Sequence, residues 1–200
     1  MFEAGKSFTA TDTTKTNTVN VAKNGALTYS KNNTLQAGDK FVIDVETSAS
    51  FVTINNGFDE VVEVNDGKIE YRVWNIEKDV TITASDAALS ISRIDYYVVE
   101  PGSVITYAGV VKDKITTNPI GDVDVKFVST QANETVETRT NDNGEYYLLL
   151  SSPATGVITY VDGDYLDEKV ELNNETSSKT NVDEDLVQAI HVTGIVYYED

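Results

Sequence analysis

The sequence predicts an all-β protein of two antiparallel β-sandwich domains, on three observations. Apolar and polar residues alternate with a period of two along most of the chain. Residues suited to turns recur at intervals of about ten. No window carries an apolar stripe of helical period for more than about two turns. The apolar residues are mainly Val, Ile, Leu, Tyr and Phe, types that suit a half-buried pleated surface. At 40% hydrophobic content, 200 residues suffice for a folded chain of one large or two modest domains.

The first domain is expected over residues 1–101, as a jelly-roll or Ig-like sandwich. Its opening stretch is poor in large apolar residues and rich in Thr, Asn and Lys. Val19, Val21, Leu27 and Tyr29 still alternate there, which predicts two weak strands at a sheet edge. Further on, Phe41, Ile43 and Val45 share one face, opposite Val42, Asp44 and Glu46. The run EVVEVNDGKIEYRVW reads as a hairpin, because Asn65-Asp66-Gly67 supplies residues that tolerate positive φ. Strands follow at 78–84 and 89–99. In the second of these the apolar phase shifts from Leu89 and Ile91 to Ile94, Tyr96 and Val98, which predicts a β-bulge near Ser92-Arg93.

Glu100-Pro101-Gly102 punctuates the chain after a completed strand and marks the expected boundary. The second domain is expected over 102–185, with strands at 104–112, 123–129, 136–140, 146–150, 157–161 and 169–172. Asn118-Pro119 and Asn141-Asp142-Asn143-Gly144 are turns between them. Residues 173–185 are polar and read as a loop or linker. A closing strand is expected at 190–198. Its TGIVYYED is an altered return of AGVVKD at Ala108–Asp113, so residues 186–200 read as a terminal strand or the start of a further repeat.

Charge narrows the function classes. A formal charge of −18 is the wrong sign for nucleic acid, whose phosphates require clustered Lys and Arg, and it disfavours anionic membrane surfaces. No stretch approaches the roughly 20 apolar residues of a membrane span. With no cysteine, disulfides, thiolate metal sites and cysteine nucleophiles are excluded. Residues 1–6 lack the basic start and apolar core of a signal peptide, so a secreted protein would be represented here by an excised segment. An acidic, cysteine-free, Thr/Asn/Asp-rich β-protein resembles secreted proteins of Gram-positive bacteria.

About residues 103–173 resemble the carboxypeptidase regulatory-like domain, a transthyretin-like (prealbumin-like) β-sandwich. The features occur in the family's order. Gly109-Val110-Val111 is followed by the acidic Asp113. Pro119-Ile120-Gly121-Asp122-Val123-Asp124-Val125 matches Pro-Ile-x-x-Val-x-Val. Thr138 to Tyr146 carries the Asn-Gly-x-Tyr turn and strand, and a Tyr-containing strand and turn closes the pattern at 157–165. The resemblance implies a non-catalytic spacer, stabilising appendage or attachment module of a larger secreted protein. Related Cna-B-like domains carry a Lys–Asn isopeptide bond made by a buried acid. Lys112 and Lys126 would be the lysines and Asn173 or Asn174 the amide. The acid is missing from the matching strand, YYLLLS, so no bond is expected. Residues 1–100 resemble, in general texture only, β-sandwich carbohydrate-binding modules.

Sugar-binding sheets expose aromatic rings for stacking, beside polar groups that bind hydroxyls. Trp74, Arg72 and Tyr97 are the candidate carbohydrate-binding residues. Trp74 has two readings. If Tyr71 and Val73 are core, strict alternation turns Trp74 outward with Arg72 and Glu70; otherwise it fills the core. The pairs Tyr96-Tyr97 and Tyr197-Tyr198 each place one ring on either face. No catalytic residue or metal ligand set stands out. His191 has no second His or Cys near it, and no carboxylate pair is singled out for glycoside hydrolysis. No cofactor is expected. Asp142-x-Gly144-Glu145 and Asp162-Gly163-Asp164 offer oxygen ligands for calcium, but neither has the spacing of a complete calcium loop.

The expectation is a non-enzymatic segment of a secreted or cell-surface bacterial multidomain protein. It would act as a spacer, continuous with further domains, and its first domain would bind a polysaccharide or a cell-surface glycan. The alternatives are an adhesin stalk without a ligand and, less favoured, a fragment of a polysaccharide-degrading enzyme.

Overall fold

A computed structural model describes residues 6–8, 18–21, 36–84 and 89–190. The described secondary structure is all β. The chain divides into two compact units. Unit 1 comprises Met1–Tyr107, Tyr147–Ala154 and Asn173–Thr180; unit 2 comprises Ala108–Tyr146, Thr155–Leu172 and Asn181–Asp200.

Two four-stranded sheets belong to unit 1. The first has the order β1-β8-β3-β6, from β1 (Lys6–Phe8), β8 (Leu89–Tyr97), β3 (Lys40–Thr47) and β6 (Lys68–Arg72). The second has the order β2-β7-β4-β5, from β2 (Thr18–Val21), β7 (Val80–Thr83), β4 (Phe51–Asn55) and β5 (Asp59–Glu63). The alternation read from the sequence is the burial pattern observed. Phe41, Ile43 and Val45 are buried, as are Ile69 and Tyr71 on β6 and Val80 and Ile82 on β7. The pairing of β3 with β8 breaks register between Asp44↔Arg93 and Val45↔Ile91, leaving Ser92 as the extra residue of the expected bulge.

Asn65-Asp66-Gly67 does turn the chain, with φ of 50° at Asp66 and 72° at Gly67. The hairpin, however, is limited to the bridge between Asn65 and Lys68. Beyond it, β5 pairs with β4 and β6 pairs with β3, so the two arms enter different sheets. Asp39, wholly buried, anchors both ends of this region: its carboxylate accepts from Gln36 N and Val99 N at 2.8 and 2.9 Å.

The later strands are β9 (Val104–Asp113), β10 (Asp124–Ser129), β11 (Thr135–Arg139), β12 (Glu145–Ser151), β13 (Ala154–Val161), β14 (Glu168–Glu175) and β15 (Glu184–Leu186). They form one sheet of order β11-β10-β13-β14 and another of order β12-β9-β15. The six strands expected over 102–185 are present. The stretch 173–185 is not a plain linker, because β14 runs on to Glu175 and β15 pairs in parallel with β9. Tyr146, Leu148 and Leu150 are buried in alternation, as the sequence implied. In unit 2 the Tyr146 and Tyr160 hydroxyls lie 2.8 Å apart, and Tyr146 Oη also donates to Val182 O. The expected strand features at Leu27 and Tyr29 and at 190–198 fall wholly or mainly outside the described residues, as do His191 and the Tyr197-Tyr198 pair.

Candidate functional site

One polar arrangement in unit 1 is built around Glu60. Its position on β5 places it opposite fully buried Ile54 of β4, so the strand's pleat turns the carboxylate inward while Val61 is 74% exposed. Three side chains donate to it. Tyr71 Oη reaches Oε1 at 3.0 Å, Trp74 Nε1 reaches the same oxygen at 3.3 Å, and Tyr147 Oη reaches Oε2 at 2.9 Å. The rings also pack on one another. Trp74 and Tyr147 stack with centroids 5.0 Å apart and planes 9° apart, and Phe58 lies 5.1 Å from Trp74 at a tilt.

Burial pushes the Glu60 carboxyl above its ordinary value, an effect that outweighs the three hydrogen bonds pulling it down. Burial and the adjacent Glu60 charge push the Tyr71 and Tyr147 hydroxyls up, so both stay protonated as donors at neutral pH.

The backbone beneath is arranged to admit the indole. A Cβ on Gly57, whose φ is +146°, would lie 2.4 Å from the Trp74 ring, so glycine is required there. Asn56, wholly buried, fixes the segment that carries the ring. Its Oδ1 accepts from Trp74 N and Asn75 N at 3.1 and 2.9 Å, and its Nδ2 donates to Asn75 O and Lys78 O.

Trp74 is therefore a core side chain, 5% exposed. Strict alternation fails because β6 ends at Arg72, and both Val73 and Trp74 are buried beyond it. The indole presents no open face on which a sugar could stack. The other two candidates do come together. Lys40 of β3 is in register with Arg72 on one side and Tyr97 on the other, which puts all three on one sheet face. Arg72 is exposed and donates to Gly38 O at 3.2 Å. Lys40 Nζ lies 6.0 Å from the centroid of the half-exposed Tyr97 ring and pairs with Glu70 at 2.6 Å.

In unit 2 the polar groups singled out by sequence hold turns and ion pairs. Asp113 Oδ1 accepts from Ile115 N and Thr116 N, while Oδ2 accepts from Tyr165 Oη at 3.1 Å. These bonds, Thr116 N foremost, hold the carboxyl below the usual aspartate range. Lys112 and Lys126 pair with Asp183 and Glu137 on the surface. In the two acidic turns, Asn141 Oδ1 accepts from Asn143 N and Glu145 N, and Asp162 Oδ1 accepts from Asp164 N. Among the described residues no group of three or more His, Cys, Asp or Glu is placed to hold a metal ion, and every buried side-chain nitrogen or oxygen has a hydrogen-bond partner.

Glu60, Asn56 and Asp39 were not singled out by sequence reasoning. Asn56-Gly57 carried a turn signal. In DEVVE the exposed valine and inward acid invert the usual pattern, and only the β4–β5 register reveals that inversion.

No family model matches the chain, and no curated protein matches it. Among solved structures it is similar to the group B streptococcus pilus 2b backbone protein, at 11% identity and a TM-score of 0.34, covering 90% of this chain and 97% of that one. It is also similar to the minor pilin GBS52 of Streptococcus agalactiae, at 10% identity and a TM-score of 0.35, covering 98% and 100%. A third similarity is to the Bacillus anthracis TIE protein, at 13% identity and a TM-score of 0.32. It covers 76% of this chain and 34% of that one, so the chain spans about a third of that protein's length.

Proposed function

We propose that this chain is a non-catalytic structural segment of a secreted or cell-surface bacterial protein, in which β-sandwich units act as a spacer. The observation that supports this reading is how the inward polar groups are used. Glu60, Asn56, Asp39 and Asp113 have the chemistry of active-site residues, yet each is bonded to the side chains and backbone that fix the fold. Incubation of the protein with a panel of polysaccharide, peptide and ester substrates tests this directly. Turnover that survives repurification would overturn it.

A second reading, carbohydrate binding, is favoured by the row Arg72–Lys40–Tyr97. There a cation donor lies two strands from an aromatic ring on one exposed face. The ligand would be a polysaccharide or a cell-surface glycan. Affinity electrophoresis on polysaccharide gels separates the readings. Retardation that is lost in R72A and Y97A supports binding, whereas equal mobility of all three proteins on every gel leaves a stalk without a ligand.

A further inference from the structure

We propose that Glu60 is a proton-uptake site: its carboxylate and its carboxylic acid occupy the same aromatic box, and the Tyr147 hydroxyl reverses its hydrogen bond between the two states. Only some of these donors can turn round. An indole N–H can only donate, so Trp74 requires Oε1 to remain an acceptor in both states. Tyr71 donates to that same oxygen. Oε2 has one partner in this box, the Tyr147 hydroxyl, which can donate or accept. A proton arriving from solvent therefore bonds to Oε2. The Tyr147 O–H then rotates about its C–O bond, and Oη accepts from the new acid hydroxyl. Both oxygens keep their partners.

The groups that face Glu60 come from three places. They are Tyr71 on β6, Trp74 just beyond β6, and Tyr147, a β12 residue that belongs to unit 1. Phe58 completes the ring cluster. Trp74 and Phe58 are uncharged, and the two phenols stay protonated at neutral pH, so ionised Glu60 is the single charge in the box. Burial opposes that charge more strongly than the three bonds support it.

The folded chain accordingly binds this proton more tightly than the unfolded chain does. Above the folded value the site carries the full cost of a buried charge. As pH falls through that value toward the ordinary glutamate value of 4.5, the cost is relieved and the fold gains stability. Mild acid thus tightens unit 1 at this point.

The test is a carboxyl NMR titration of the whole protein, with the Glu60 side-chain carbon assigned through bonds, alongside denaturant midpoints of wild type, E60Q and Y147F from about pH 8 to about pH 4.5. Glu60 is expected to titrate above 4.5. The emission of Trp74, the sole tryptophan, should follow the same midpoint. The stability gain of wild type over E60Q should grow as pH falls. Y147F, which keeps the stacked ring, should lose stability at both ends of the range. Titration of Glu60 at or below 4.5, or an E60Q profile parallel to wild type, would overturn the uptake site. Loss in Y147F confined to the alkaline end would overturn the reversal.

Discussion

Tyr147 lies parallel to Trp74, with ring centroids 5.0 Å apart and planes 9° apart, and both rings donate to the carboxylate of Glu60. Stacking of this kind adds about 0.5–1.5 kcal/mol beyond the area it buries. Trp74→Ala should destabilise the protein by about 3–5 kcal/mol, the usual cost of deleting a buried large aromatic side chain. A double-mutant cycle with Tyr147→Ala, read by chemical denaturation, should give a coupling of about 1 kcal/mol or more, since the two rings share a contact and an acceptor. Strict additivity would mean that the stack contributes nothing.

Asn56→Ala should cost about 2–4 kcal/mol, because it strands the backbone N–H groups of Trp74 and Asn75 and the carbonyl of Asn75 in a buried site. Hydrogen exchange supplies a local check. The amides of residues 74 and 75 should lose protection far more than those of β3 in the same variant.

Asp113 gives the opposite pH dependence to Glu60. Its carboxyl is held below the ordinary 3.8 by backbone donors, so its stabilisation is complete above 3.8 and is lost as pH falls through the lower folded value. Asp113→Asn should therefore be less stable than wild type at neutral pH and should show a shallower acid transition below 3.8. Thermal unfolding across an acid pH series would reveal it. An unchanged acid limb would show that Asp113 does not act in this way.

Gly109→Ala should unfold or severely weaken unit 2. An added Cβ would sit 1.8 Å from Val182 O, and that segment is tied to β9 by the bond from Val182 N to Ala108 O at 2.9 Å. The obstruction is backbone, which a side-chain rotation cannot relieve, so a loss of several kcal/mol is expected, comparable to overpacking a core. Gly102→Ala is the control for steric crowding, since nothing lies within 4 Å of its added Cβ. Its φ of +76° still imposes a modest strain.

Elements set by local chemistry were legible in the sequence. Phe41, Ile43 and Val45 announced their face by alternation, the phase shift after Ile91 announced the bulge, and Asn143-Gly144 announced its turn. What could not be read was pairing over long sequence distance. The divergence of the two arms after Asn65 depends on which partner each strand finds. That choice in turn sets the inward face of Glu60 and brings Tyr147 to it from 87 residues away. Of the two readings of Trp74, the outward one depends on extending strand alternation two residues past the end of β6, and the core reading is the one observed. Arg72 and Tyr97 shared a face through Lys40, a relationship visible only in register.

Trp74, the sole tryptophan, reports directly on whether the side chains that resemble a site are structural. The most direct measurement is its fluorescence, with acrylamide quenching, in the presence and absence of polysaccharides. A structural Trp74 should give blue-shifted emission, weak quenching until the protein unfolds, and no change when a glycan is added. Red-shifted, readily quenched emission that responds to a glycan would contradict that role.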